Sequence, residues 1–110
     1  MAGAAGKFCM VFVTVPSREV AKSIAGGLLS EKLAACINVI PGVTSYYEWQ
    51  GKMEEDQELL LMIKSTSAKF SELSEFVKSK HPYDCVEVIS ADIDQGNQPY
   101  LDWIEKSCTK

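Results

Sequence analysis

The side chains able to do chemistry are few and scattered. His81 is the sole histidine, and the cysteines stand singly at Cys9, Cys36, Cys85 and Cys108. A soft thiolate with an imidazole suits Cu(I) or Zn(II). That makes His81, with Cys36 or Cys85, the soft candidates for a weakly held metal. One such pair does not close a tetrahedral site, although a trimer would repeat it around an axis. Cys85 follows His81 closely, but Pro82 breaks the helix that would align the two. Plainer readings stand beside these. A lone histidine after a helix is usually a hydrogen-bonded structural residue. A cysteine in an apolar strand is usually a small buried hydrophobe.

Other motifs resolve into absences or soft candidates. Glu54, Glu55, Asp56 and Glu58 form an acidic cluster. It reads first as a solvated strand edge that discourages aggregation, and second as a weak divalent-cation site. Asp92-Ile93-Asp94-Gln95-Gly96 resembles the start of a calcium loop, but Trp103 occupies the position where such a loop needs its last acid. No Gly-rich phosphate loop, GxSxG or HExxH occurs, and no nucleophile–base pair is apparent. The chain therefore reads as a non-enzyme. Tyr47, Trp49, Lys64 and Glu87, joined by Tyr100 and Trp103, are the candidates for an intersubunit pocket that takes a small molecule or a protein segment. Ordinary interface packing is the plain alternative.

Composition narrows the classes. A chain of 110 residues with 46% hydrophobic content is one globular domain, residues 1–110, with 1–7 expected to be flexible. The net charge of −4 argues against nucleic-acid binding through a basic field. No apolar run approaches the roughly 20 residues needed to span a bilayer, so no direct membrane insertion is expected. No secretory signal is visible, and four isolated cysteines without a CxxC read as reduced thiols in a cytoplasmic protein.

The elements that must position these residues follow from period and punctuation. Phe8–Val15 is a near-continuous apolar run, hence a central strand. Ser17 can cap a helix that runs through Lys32 with Val20, Ile24 and Leu28 on one face. Its Gly26-Gly27 suggests close packing of helix on sheet. A strand follows over Ala34–Ile40, is bent or bulged at Pro41-Gly42, and resumes over Val43–Trp49. Gln50-Gly51 then predicts a tight turn. Lys52–Ser65 lacks glycine and proline. Its 14 residues would span about 46 Å at ~3.3 Å each, whereas a compact domain of this size is roughly 34 Å across. A hairpin that projects with Tyr47 and Trp49 needs a partner, because a lone two-stranded hairpin is marginal in water. Thr66 or Ser67 can cap a second helix that Pro82 stops. Asp84–Ala91 reads as a fourth strand, and Asn97 as the cap of a last helix. The order β-α-β-β-α-β-α, with the first and fourth strands as the central pair, predicts an α+β, ferredoxin-like antiparallel sheet. Both main helices lie on one face, and only the C-terminal helix and other subunits remain to cover the second face. Two other uses of this fold fail at their sites. The first strand–helix loop lacks the CxxC of a metal chaperone, and Leu59–Ile63 lacks the stacking aromatics of an RNA-binding sheet.

The segments LAACINVIPGVTSYYEWQGK, ELLLMIKS, HPYDCVEVI and GNQPYLDWI resemble the CutA family, the divalent-cation tolerance proteins. The resemblance runs from about Val11 to Ile104. It implies a ferredoxin-like subunit with a long β2–β3 hairpin and an extra C-terminal helix, assembled as a tight homotrimer. It also implies copper binding and copper tolerance and, for vertebrate members, a link with anchoring of acetylcholinesterase. Bacterial members implicated in copper binding carry a cysteine where this chain has Val13, and a histidine pair where Lys80 precedes His81. Cys36, in the LAAC segment, is then the better thiol candidate.

Overall fold

Strand β1 (Phe8–Val15) forms the middle of the molecule. Its Val11, Val13 and Val15 are fully buried, as a strand paired on both sides and covered on one face requires. In the computed structural model, which describes residues 6–110, β1 leads into helix α1 (Arg18–Ser30). The hydroxyl of Ser17 caps α1, accepting the Val20 N–H at 3.2 Å. Strand β2 (Cys36–Trp49) and strand β3 (Lys52–Thr66) follow as a long hairpin. A 3₁₀ turn (Ser67–Lys69), helix α2 (Phe70–Lys80), strand β4 (Val88–Asp92) and helix α3 (Gln98–Ser107) complete the chain. The expected flexibility of 1–7 falls mostly outside the described residues.

All strand pairs are antiparallel, in the order β2-β3-β1-β4. The central strands are therefore β1 and β3, and not the first and fourth as the apolar content suggests. The cause lies in β3. Its second half, Leu59–Ile63, pairs with β1 on one side and β2 on the other. By contrast β4 is short, begins pairing only at Val13↔Val88, and exposes Ile89. Asp84–Glu87 stay outside it.

Side chains of Val11, Val13, Val15, Leu61 and Ile63 pack beneath Ile24 and Leu28 of α1 and Leu73 and Val77 of α2. The glycine pair in α1 serves helix-on-helix rather than helix-on-sheet contact. A Cβ on Gly27 would lie 2.1 Å from Phe76 Cζ, while Gly26 faces open space. Neither Thr66 nor Ser67 caps α2 with its side chain, because the chain enters that helix through the 3₁₀ turn. Asn97 occupies the cap position of α3 without a side-chain bond; its carbonyl accepts the Tyr100 and Leu101 N–H groups.

The opposite face of the sheet is covered at one end only, where Leu101, Ile104 and Cys108 pack on Phe8 and Ala35. Beyond that, residues paired across the sheet share a face. They leave Phe12, Met62, Leu60, Ile40 and Ile89 on an apolar surface that no other element of the described residues covers. The hairpin extends past the sheet, and the molecule measures 46 × 25 × 23 Å. Its turn residues Gln50 and Gly51 take φ of 52° and 79°, the pair of positive values that matches the twist of two-residue hairpins. The register slips between Ile40 and Val43, where Gly42 has φ +80°, so Pro41-Gly42 is a bulge in an edge strand.

Candidate functional site

The period of two along β3 places Glu54, Asp56 and Glu58 on one face, and β2 sets Ser45, Tyr47 and Trp49 beside them. With Thr14 and the segment Pro82–Cys85, these residues line an open cleft at the root of the hairpin. Glu58 is buried and accepts the Tyr83 hydroxyl at 3.0 Å. Tyr47 donates to Asp56 at 2.5 Å. Tyr83 is pushed up to about 12, first by desolvation and then by its bond to Glu58. Tyr47 rises to about 12 through its bond to Asp56. Both phenols thus act as neutral donors to carboxylates. The lining is aromatic and acidic, and it contains no lysine, arginine or histidine.

His81 is bonded to two of the residues that line the cleft. Its Nδ1 accepts the Tyr83 N–H at 3.2 Å, which leaves Nε2 to donate to the Thr14 carbonyl at 2.8 Å. The ring is 8% exposed and sits 4.6 Å from the Tyr83 ring.

A second concavity lies at the other end of β3. Lys64, Tyr100, Leu101, Ile104 and Met10 line it, with Gly96 at its rim. Lys64 is largely buried as a residue, and its ammonium donates to Asn38 Oδ1. Trp103 rests against Tyr100 with ring centroids 5.4 Å apart. Desolvation raises Tyr100, and the Cys36 thiol adds a smaller contribution. Cys36 is half-buried and pairs across the sheet with Lys64.

One chain does not bring Cys36 and His81 together. Cys36 lies level with Met10 across the sheet, whereas His81 docks on Thr14. That is roughly 13 Å further along β1 at ~3.3 Å per residue. Among the described residues, no group of three or more His, Cys, Asp or Glu side chains could hold a metal ion. The pocket candidates likewise fall into two sets: Tyr47, Trp49 and Glu87 line the cleft, while Lys64 and Tyr100 line the second concavity and Trp103 packs on Tyr100 outside its lining. Sequence reasoning missed Tyr83 and Asn38. Glu58 entered only as a member of the acidic cluster, and nothing local indicates that Tyr83 reaches back to it.

A family model described as "CutA1 divalent ion tolerance protein" matches residues 9–107. The "Protein CutA homolog" of Xenopus laevis is 59% identical over 99 residues, covering 90% of this chain and 66% of that protein. The "Divalent-cation tolerance protein CutA" of Thermus thermophilus is 51% identical, covering 89% of this chain and 95% of that one. The chain thus spans just under two thirds of the Xenopus relative. The solved structure of the divalent cation tolerance protein Cut A1 from Thermus thermophilus superposes with a TM-score of 0.91 at 49% identity, covering 93% of this chain and 99% of that one.

Proposed function

The chain belongs to the CutA1 divalent ion tolerance family, and from that premise we propose that it works as a homotrimer that binds copper or another divalent metal weakly and catalyses no reaction. The observation that carries the assembly is the uncovered sheet face. Phe12, Leu60, Met62, Ile40 and Ile89 need a layer over them, and no further element of the described residues supplies one. The projecting hairpin adds exposed Tyr46, Tyr47 and Trp49. An apolar surface of this kind marks an association site, and other copies of the chain are the partners at hand. Light scattering at micromolar concentration should give the mass of three chains; a stable monomer would refute the assembly.

The metal reading rests on the family and on two soft ligands. Within one chain Cys36 and His81 do not fit a common ion, because they are separated along the sheet and both His81 nitrogens are engaged. The site therefore draws on two copies. Cys36 of one chain supplies a thiolate, and His81 of another supplies Nδ1 once the Tyr83 N–H lets go. Titration of the apo-protein with Cu(I) and Cu(II) tests this. Binding should weaken at least about tenfold in Cys36→Ser, and equal binding by wild type and a Cys36→Ala/His81→Ala double variant would sink the site. Reduced single cysteines support a cytoplasmic setting, and no helix among the described residues is long and apolar enough to cross a membrane.

A second reading is favoured by the division of Tyr47, Trp49 and Glu87 from Lys64, Tyr100 and Trp103. Two half-sites at opposite ends of one strand make a single pocket only if neighbouring chains combine them. Such intersubunit pockets would take a small molecule or a protein segment, including one through which an animal member helps to anchor acetylcholinesterase. A broad ligand screen followed by the Trp49→Ala variant tests it; pockets that stay empty would count against it.

A further inference from the structure

Two buried charges on β3 have no counter-ion among the described residues. Lys64 is 9% exposed and Glu58 is 7% exposed. The ion pairs among the described residues are Lys7–Glu105 and Lys78–Glu75, and they involve neither. Lys64 donates to the neutral amide of Asn38, and Glu58 accepts from the neutral phenol of Tyr83. Lysine and glutamate are rarely this buried unless paired, because a desolvated charge without its opposite is strongly unfavourable.

They cannot pair within one chain. Six positions apart on a strand, they are roughly 20 Å from each other. Nor do local groups neutralise them. The cleft around Glu58 adds Glu54, Asp56, Asp84 and Glu87 and no cation. The concavity around Lys64 includes Asp92 and Asp94. Asp92, however, pairs with Cys9 and so points to the opposite face of the sheet from Lys64, and Asp94 is exposed and makes no bond to Lys64. The even spacing does put Glu58 and Lys64 on one face, at the two ends of the uncovered apolar stripe that contains Leu60 and Met62.

We infer that Glu58 of one copy pairs with Lys64 of the next, so that every interface of the assembly carries the same head-to-tail ion pair. An acidic patch that meets a basic patch elsewhere on an identical chain makes a heterologous contact, and such contacts form a ring when the rotation between copies closes, as a trimer requires. The inference also fixes an orientation. Copies rotated about an axis parallel to β3 would keep Glu58 and Lys64 at separate heights. The pair forms only if β3 runs transverse to the ring axis, with the root of one hairpin set against the α3 end of its neighbour's sheet.

The inference rests on the homotrimer reading, and a charge swap separates the two. Lys64→Glu and Glu58→Lys are compared with the double variant Lys64→Glu/Glu58→Lys, with mass read by light scattering across a dilution series and folding by circular dichroism. Each single variant should weaken assembly about thirtyfold or more, and the swap should return it to within about tenfold of wild type. A swap no better than either single variant overturns the pair. So does wild-type assembly by Lys64→Glu, the result expected if a bound oxyanion or solvent neutralises Lys64. If a reversed charge prevents folding, the milder Lys64→Gln and Glu58→Gln variants and their combination supply a double-mutant cycle, in which coupling below about twofold overturns the pair. A monomeric wild type would refute the assembly itself, whereas a trimeric wild type with an unrescued swap removes the ion pair alone.

Discussion

The hydroxyl of Tyr83 reaches Glu58 Oε2 at 3.0 Å across 25 residues of chain, and this bond fastens the segment after α2 to the middle of β3. It satisfies a carboxylate on a residue that is only 7% exposed. Tyr83→Phe deletes the donor and leaves that acceptor unpaired. Removing one partner of a buried bond costs about 1–3 kcal/mol. Urea unfolding should show that loss, and it should shrink in a Glu58→Gln background, where the stranded group is neutral. An unchanged midpoint would show that water reaches Glu58.

The same phenols set a limit at high pH. Tyr83 and Tyr47 are each pushed up to about 12 from 10.0. Below pH 10 they are neutral in both folded and unfolded chains, so their contribution is intact. As pH rises from 10 towards 12, the unfolded chain gives up its phenolic protons first. Stability is then lost progressively across that window. Tyrosinate absorbance should show late-titrating groups that move to lower pH in Asp56→Asn, which removes the carboxylate beside Tyr47. Titration of every tyrosine near 10 would contradict the assignment.

Much of this architecture was legible because it is local. The Ser17 cap, the Gln50-Gly51 turn and the Pro41-Gly42 bulge each follow from the conformational limits of single residues. The length of Lys52–Ser65 was enough to predict a hairpin longer than the domain. Strand order was harder. The apolar run Phe8–Val15 and the segment around Val86 look alike in sequence, yet only the first is flanked on both sides. The centre passed to β3, whose acidic first half disguised a second half paired on both sides. The site was less legible still. Tyr83 and Glu58, or Lys64 and Asn38, meet only after the chain has folded, so no spacing announces them. Cys36 and His81 attracted attention by residue type, while their separation along the sheet is a product of register.

His81 makes a prediction of its own. Its ring links the Thr14 carbonyl to the Tyr83 N–H, which places the Tyr83 phenol over Glu58. His81→Ala should lower stability by about 1–3 kcal/mol through the unpaired Thr14 carbonyl. It should also speed hydrogen exchange at the Tyr83 amide. Normal protection there would mean that the segment is held by something other than the imidazole.

The adjacent glycines of α1 should respond in opposite directions. Gly26 has no neighbour within 4 Å of an added Cβ and no unusual φ. Gly26→Ala therefore gains the helix propensity of alanine, about 1 kcal/mol, and thermal unfolding should move upwards. Gly27 is where α1 meets α2. A Cβ there would lie 2.1 Å from Cζ and 2.6 Å from Cε2 of Phe76. The Phe76 ring is partly buried against the core, so it cannot turn aside without opening a gap beside Leu73 and Val77. Overpacking of this kind typically costs about 1–3 kcal/mol, more than the propensity that Gly27→Ala would gain, so this variant should unfold at lower temperature. Adding Phe76→Leu to Gly27→Ala tests the cause, because it removes the ring atoms in the way. Recovery relative to the Phe76→Leu single variant would identify the contact as the reason for glycine, and equal losses in both backgrounds would place the reason elsewhere.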